Sequence, residues 1–156
     1  MSTSAPNLLS DYLPYLLRQA DQTLSAPFYA VLTQHGVARS EWRVLAVLRD
    51  FGPLGVVELA NAALSPQPTV THAVRRLEQR GLVTRTQGAE DKRQRFIAMT
   101  PAGTALTTAL AIEAKRLEAE ALRNAGDLTA LVDQLRALTA TVESHMTQPT
   151  EMERSA

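Results

Sequence analysis

The chain has 156 residues, 45% of them hydrophobic, a formal net charge of zero and no cysteine. That is enough apolar content for one packed domain with a helical extension, and it excludes a disordered polymer, disulfides, thiolate nucleophiles, cysteine-ligated metals and a cysteine redox switch. No run of 18 apolar residues occurs, and residues 1–6 lack the charged and apolar regions of a signal peptide, so a cytoplasmic protein with no membrane partner is expected.

Residues 7–34 read as a long helix closed by Gly36. Pro14 is harmless if the regular helix starts just before it, whereas Pro27 should bend or split the helix by removing one hydrogen bond. Leu9, Tyr12, Leu13, Leu16 and Leu17 spread more aliphatic surface around this helix than a single core face needs. A partner chain is the natural second surface.

Ser40 reads as the N-cap of a helix through Trp42, Leu45 and Leu48 that ends at Gly52-Pro53. A short helix over residues 57–64 and the turn Ser65-Pro66-Gln67 follow. The next helix should begin at Pro68, because proline suits the first helical position, and stop at Gly81, which closes a helix with little steric penalty. At about 100° per residue, Val70, Ala73, Val74 and Leu77 share one apolar arc, while Thr69, Thr71, His72, Arg75 and Arg76 take much of the rest. A face of Thr, His and adjacent Arg suits base edges and phosphates better than the mixed Glu and Lys of an ordinary surface helix. The first helix of such a pair braces the second across the DNA groove.

Two strand-like runs, residues 82–86 and 94–100, flank a polar tip that holds Asp91, Lys92 and Arg93, with Arg95 on the returning strand. The basic hairpin fits either a wing that touches the DNA backbone or minor groove, or a solvated loop. Charge is concentrated here: residues 65–95 hold seven basic and three acidic side chains, a net +4, which leaves −4 on the rest. Positive charge gathered on one module is the footprint of a phosphate-binding surface.

Thr100-Pro101 starts a helix running to about Arg123, Asn124-Ala125-Gly126 stops it, and Asp127 caps the last one. Leu128, Leu131, Val132, Leu135, Leu138, Val142 and Met146 form a stripe of helical spacing over five turns. It serves either packing within the chain or a dimer bundle formed with the N-terminal helix.

The ordered motifs Leu77-Glu78-Gln79-Arg80-Gly81-Leu82-Val83, Asp91-Lys92-Arg93 and Met99-Thr100-Pro101-Ala102-Gly103 resemble the MarR family of bacterial winged helix-turn-helix regulators. The family pattern is Leu-Glu-x-x-Gly-Leu-Val, then Asp-x-Arg, then Leu-Thr-x-x-Gly, with Met99 standing here for leucine. The resemblance implies a mainly α fold with a small β-hairpin wing: an N-terminal dimerisation helix over 7–36, a winged module over 37–100, C-terminal dimerisation helices over 101–147, and flexible tails at 1–6 and 148–156. It implies a homodimer reading a pseudo-palindrome whose half-sites lie roughly 10 bp apart. Leu9, Leu13, Leu16, Leu131, Leu135, Leu138 and Val142 are then expected at the dimer interface.

For DNA, Gln67, Thr69, Thr71 and His72 are placed to approach base edges, and Arg75 and Arg76 to reach guanine or phosphate. Arg93 is the chosen wing contact, with Arg95 beside it. Asp91 either supports Arg93 or simply forms the turn. The resemblance further implies repression and a pocket for a small aromatic acid effector. Tyr15, Arg18, His35, Trp42 and Arg43 lie on segments that would line it, although each also fits an ordinary role in the core, in solvent or at a helix stop. No cofactor or metal is called for: His35, His72 and His145 lack ligand spacing, and no phosphate loop or nucleophile elbow suggests an enzyme. The rival reading is a winged helix used for DNA architecture or protein contact without a ligand.

Overall fold

The computed structural model describes residues 8–87 and 95–147, as α1 (Leu8–Asp11), α2 (Leu13–Gln34), α3 (Arg39–Phe51), α4 (Val56–Ala62), α5 (Gln67–Gln79), β1 (Val83–Gln87), β2 (Arg95–Met99), α6 (Pro101–Ala121) and α7 (Thr129–Thr147). The expected tails, Asp91, Lys92 and Arg93 lie outside the described residues. The chain divides into two compact units, Met1–Ala121 and Leu122–Ala156.

In the first unit, α3, α4, α5 and the hairpin enclose one core. Val44, Leu45, Leu59, Val70, Val74, Leu77 and Ile97 are all buried there. Strands β1 and β2 pair antiparallel, Val83 opposite Met99 through Gln87 opposite Arg95. Leu54, just after α3, adds a bridge to this hairpin through reciprocal backbone bonds with Ile97, 2.8 and 3.2 Å long. A second core joins α2 to α6 through Phe28, Leu32, Val37 and Leu110, and Leu106 packs against both cores.

Helix α2 starts after Tyr12 and runs unbroken past Pro27, so the expected split there does not occur. Pro27 is exposed, and it is followed by Phe28 and Leu32, whose burial holds the helix across the one missing hydrogen bond. The N-cap of α3 is Ala38 rather than Ser40, because the Glu41 carboxylate reaches back to accept the Ala38 N–H at 2.9 Å. That is the glutamate half of a capping box, and it serves without any capping hydroxyl.

Helix α5 ends as its local signals require. Gly81 has φ +69°, the Leu82 N–H donates to Leu77 O at 2.9 Å, and the Gly81 N–H donates to Glu78 O at 3.0 Å, which together make a Schellman closure. The same closure ends α4, but its left-handed residue is Leu64, at φ +50°. The Leu-Thr-x-x-Gly-like segment also has a physical reason. The Thr100 hydroxyl donates to Gly81 O at 2.6 Å and accepts the Gly103 N–H at 3.1 Å, so it caps α6 and ties it to the corner after α5. A Cβ on Gly103 would collide with the Leu82 carbonyl.

The second unit centres on α7. The Asp127 carboxylate accepts the Thr129 hydroxyl and N–H at 2.6 and 2.9 Å, and these two bonds hold its carboxyl below the usual range. Leu131, Val132, Leu135, Leu138 and Val142 are exposed.

Candidate nucleic-acid interface

The candidate surface grows from the two-sidedness of α5. With Val70, Ala73, Val74 and Leu77 fixed in the core, the helix can rotate no further, and the opposite face is presented outward. On it an open depression of about 430 Å³ is lined by Gln67, Pro68, Thr71, His72 and Arg75. Gln67, Thr69, His72 and Arg75 are exposed and Thr71 is half-buried. This set offers an amide, two hydroxyls, an imidazole and a guanidinium near the start of a helix, which can read donors and acceptors along a major groove.

The cations of this module divide sharply. Arg76 Nε lies 2.8 Å from Oε1 of Glu41, a carboxylate that is fully buried. Its N–H is not aimed along that contact, so Oε1 gains an ion pair without a directed hydrogen bond. Arg80 donates to Gly36 O at 2.8 Å and approaches Glu41 Oε2 at 3.4 Å. Arg85 pairs with Glu78 at 3.2 Å. Among the described residues, Arg75 and the exposed Arg95 at the start of β2 have no acidic partner. Arg75 and Arg76, both expected to reach guanine or phosphate, thus differ in their surroundings, since Arg76 sits on the flank of α5 that meets α3. Glu41 is not singled out by the sequence because its two cationic partners, Arg76 and Arg80, lie far along the chain. Its only local signal was an acidic residue in the first turn of a helix.

Neither the depression on α5 nor the cavity between α2 and α6 is lined by the residues expected for a ligand pocket. Tyr15 and Arg18 are exposed on α2, Arg43 is exposed on α3, and exposed His35 places Nδ1 3.0 Å from Val31 O at the end of α2. His35 also helps Arg116, whose hydrogen bond is the main cause, to hold the Glu113 carboxyl below its ordinary range. Trp42 is half-buried and packs edge-on against Phe28, ring centres 4.9 Å apart. A cavity of about 210 Å³ does lie between α2 and α6, but Leu24, Ser25, Phe28, Ala114, Lys115, Leu117 and Glu118 line it. Phe28 is the link between that cavity and Trp42.

Leu9, Leu13 and Leu16 are exposed along the N-terminal helices, as are Leu131, Leu135, Leu138 and Val142 on α7. Among the described residues no helix is long and apolar enough to cross a membrane, and no three His, Asp or Glu side chains gather as a metal site would require.

A brace helix, a reading helix and an antiparallel hairpin around one core define a winged helix-turn-helix module. The MarR family model matches residues 37–94 of this chain. The crystal structure of the MarR family transcriptional regulator SPO1453 from Silicibacter pomeroyi is 32% identical with a TM-score of 0.72, covering 84% of this chain and 97% of that one. The chain belongs to the MarR family of transcriptional regulators and carries that family's DNA-binding fold. The HTH-type transcriptional regulator FarR of Neisseria gonorrhoeae is 33% identical over 87 residues, 56% of this chain and 60% of FarR, so this match spans less than two thirds of that curated relative. NadR, solved in complex with 4-hydroxyphenylacetate, is 27% identical with a TM-score of 0.73, covering 91% of this chain and 97% of NadR.

Proposed function

We propose that this protein is a homodimeric, sequence-specific DNA-binding repressor. Its α5 reads the major groove through Gln67, Thr69, Thr71, His72 and Arg75, and its wing, with Arg95 and Arg93, contacts the backbone or minor groove. The observation that carries the reading is the outer face of α5, where five groups able to meet base edges or phosphate stand exposed or half-exposed on a helix whose rotation the core has locked. Leu9, Leu13, Leu16, Leu131, Leu135, Leu138 and Val142 are apolar surface that a second copy covers, and twofold symmetry then makes the operator a pseudo-palindrome. A dimer seated on such an operator within a promoter blocks polymerase.

The effector is a small aromatic carboxylate. NadR, solved with such a ligand, supports this chemistry, and the α2–α6 cavity has an aromatic wall in Phe28 and, beside it, Lys115 paired with Glu118 at 2.7 Å, a pairing a ligand carboxylate would have to share. Ligand binding releases DNA only through a difference in its affinity for the DNA-competent and incompetent states.

Selection of duplexes from a random library, followed by fluorescence anisotropy at several salt concentrations, tests the whole reading. The expected result is enrichment of an inverted repeat bound at least about a hundredfold more tightly than a scramble. Equal, weak binding that vanishes with salt would leave only a basic surface and refute a sequence-specific regulator.

A further inference from the structure

Glu41 is the one charged side chain fully buried among the described residues, and it joins the cap of α3 to two arginines at the end of α5. Burying a carboxylate is costly unless donors surround it. Here Oε2 accepts the Ala38 N–H at 2.9 Å and stands 3.4 Å from Arg80 Nη1, while Oε1 faces Arg76 Nε at 2.8 Å. The first turn of α3 adds its positive dipole end. Arg80 continues to the carbonyls of Gly36 at 2.8 Å and His35 at 3.4 Å, so the end of α2, the start of α3 and the reading helix meet at one carboxylate.

This centre does more than close a gap. The closest contact between Glu41 and Arg76 is at Nε, the Arg76 side chain remains half exposed, and neither Nη group makes a hydrogen bond among the described residues. Arg76 also lies outside the depression lined by Gln67, Pro68, Thr71, His72 and Arg75. A guanidinium held from behind, at the flank of a base-reading face, has the geometry for a phosphate fork. We infer that Glu41 is a positioning residue for DNA binding, which fixes Arg76 so that its outward N–H edge meets a backbone phosphate. The inference rests on the DNA-reading function proposed above.

The sign of one substitution separates this from a purely electrostatic or structural role. Glu41→Gln removes a negative charge beside the DNA, so Coulomb attraction alone predicts tighter binding. Its amide oxygen can still accept the Ala38 N–H. Loss of positioning predicts weaker binding instead.

The experiment measures anisotropy on a duplex that the wild-type protein has selected from a random library, using Glu41→Gln, Arg76→Ala and the double variant. Circular dichroism confirms that each is folded at the assay temperature. Each single variant should bind about tenfold more weakly, with the salt slope reduced by about one, and the double variant should be no weaker than Arg76→Ala. Arg76→Lys, which keeps the charge and disturbs the fold least, should also bind about tenfold more weakly, because a single ammonium cannot both pair with Glu41 and present a fork to phosphate. Unchanged or tighter binding by Glu41→Gln, losses that multiply in the double variant, or full affinity in Arg76→Lys would each overturn the inference. A wild-type protein that selects no sequence would refute the DNA-reading function, and this inference with it.

Discussion

Helix α5 buries Val70, Ala73, Val74 and Leu77 to 1% exposure or less, whereas Leu131, Leu135, Leu138 and Val142 of α7 remain 36% to 48% exposed. Both helices carry an apolar stripe of helical spacing, and each stripe was legible as such. Periodicity names the apolar face of a helix but not what covers it. For α5 the cover is α3, α4 and the hairpin of the same unit; for α7 we assign it to a second copy.

The largest effect that sharpens this contrast comes from Leu77→Ala. Leu77 is fully buried, so the cavity should lower unfolding free energy by roughly 2–5 kcal/mol in urea titrations. Leu138→Ala in the same assay at high dilution should stay within about 0.5 kcal/mol, as surface substitutions do. Equal losses would mean that α7 is covered within its own chain.

Leu135→Asp addresses the proposed cover itself. A carboxylate placed in a dimer interface should raise the dissociation constant by about a hundredfold in sedimentation velocity, with the folded signal of the monomer retained. No change in association would remove α7 from the interface.

The smallest effect concerns a local strain. Leu64 closes α4 in the left-handed region at φ +50° and is 89% exposed, so it gains no packing in return. Leu64→Gly should raise stability by about 1 kcal/mol, since glycine relieves the Cβ clash. A loss of stability would show that the side chain makes a contact that its exposure conceals.

Where the signals were local, sequence and structure agree closely. Pro68 sits in the first turn of α5 and Gly81 closes it, Thr100 caps α6, and the strands begin and end within a residue of expectation. Such features depend on a proline ring, a missing Cβ or a hydroxyl within a few positions. Disagreement begins where the deciding partner is distant in the chain. Arg76 turns to α3 because Glu41 waits there buried, whereas the cap of α3 was a local signal of its own, the Glu41 carboxylate three residues after Ala38 outweighing the Ser40 hydroxyl. A helical wheel places Arg75 and Arg76 side by side on the polar face and cannot know that only one of them has an acid opposite it. The α2–α6 cavity is lined by residues other than those expected, for the same reason. Tyr15, Arg18, His35, Trp42 and Arg43 were joined by chemistry on two segments, while the α2–α6 cavity depends on which turns of those helices meet.

On the function proposed above, the outer face of α5 reads sequence while its inner flank holds the helix. Arg75→Ala separates the two faces, because Arg75 lines the outer depression and has no acidic partner among the described residues. In anisotropy on the selected operator and on a scramble, it should cost roughly 1–3 kcal/mol on the operator, with a much smaller change on the scramble and unaltered thermal stability. An equal loss on both duplexes would make Arg75 a phosphate contact without sequence information. No loss on either would contradict the account of α5 as the reading helix.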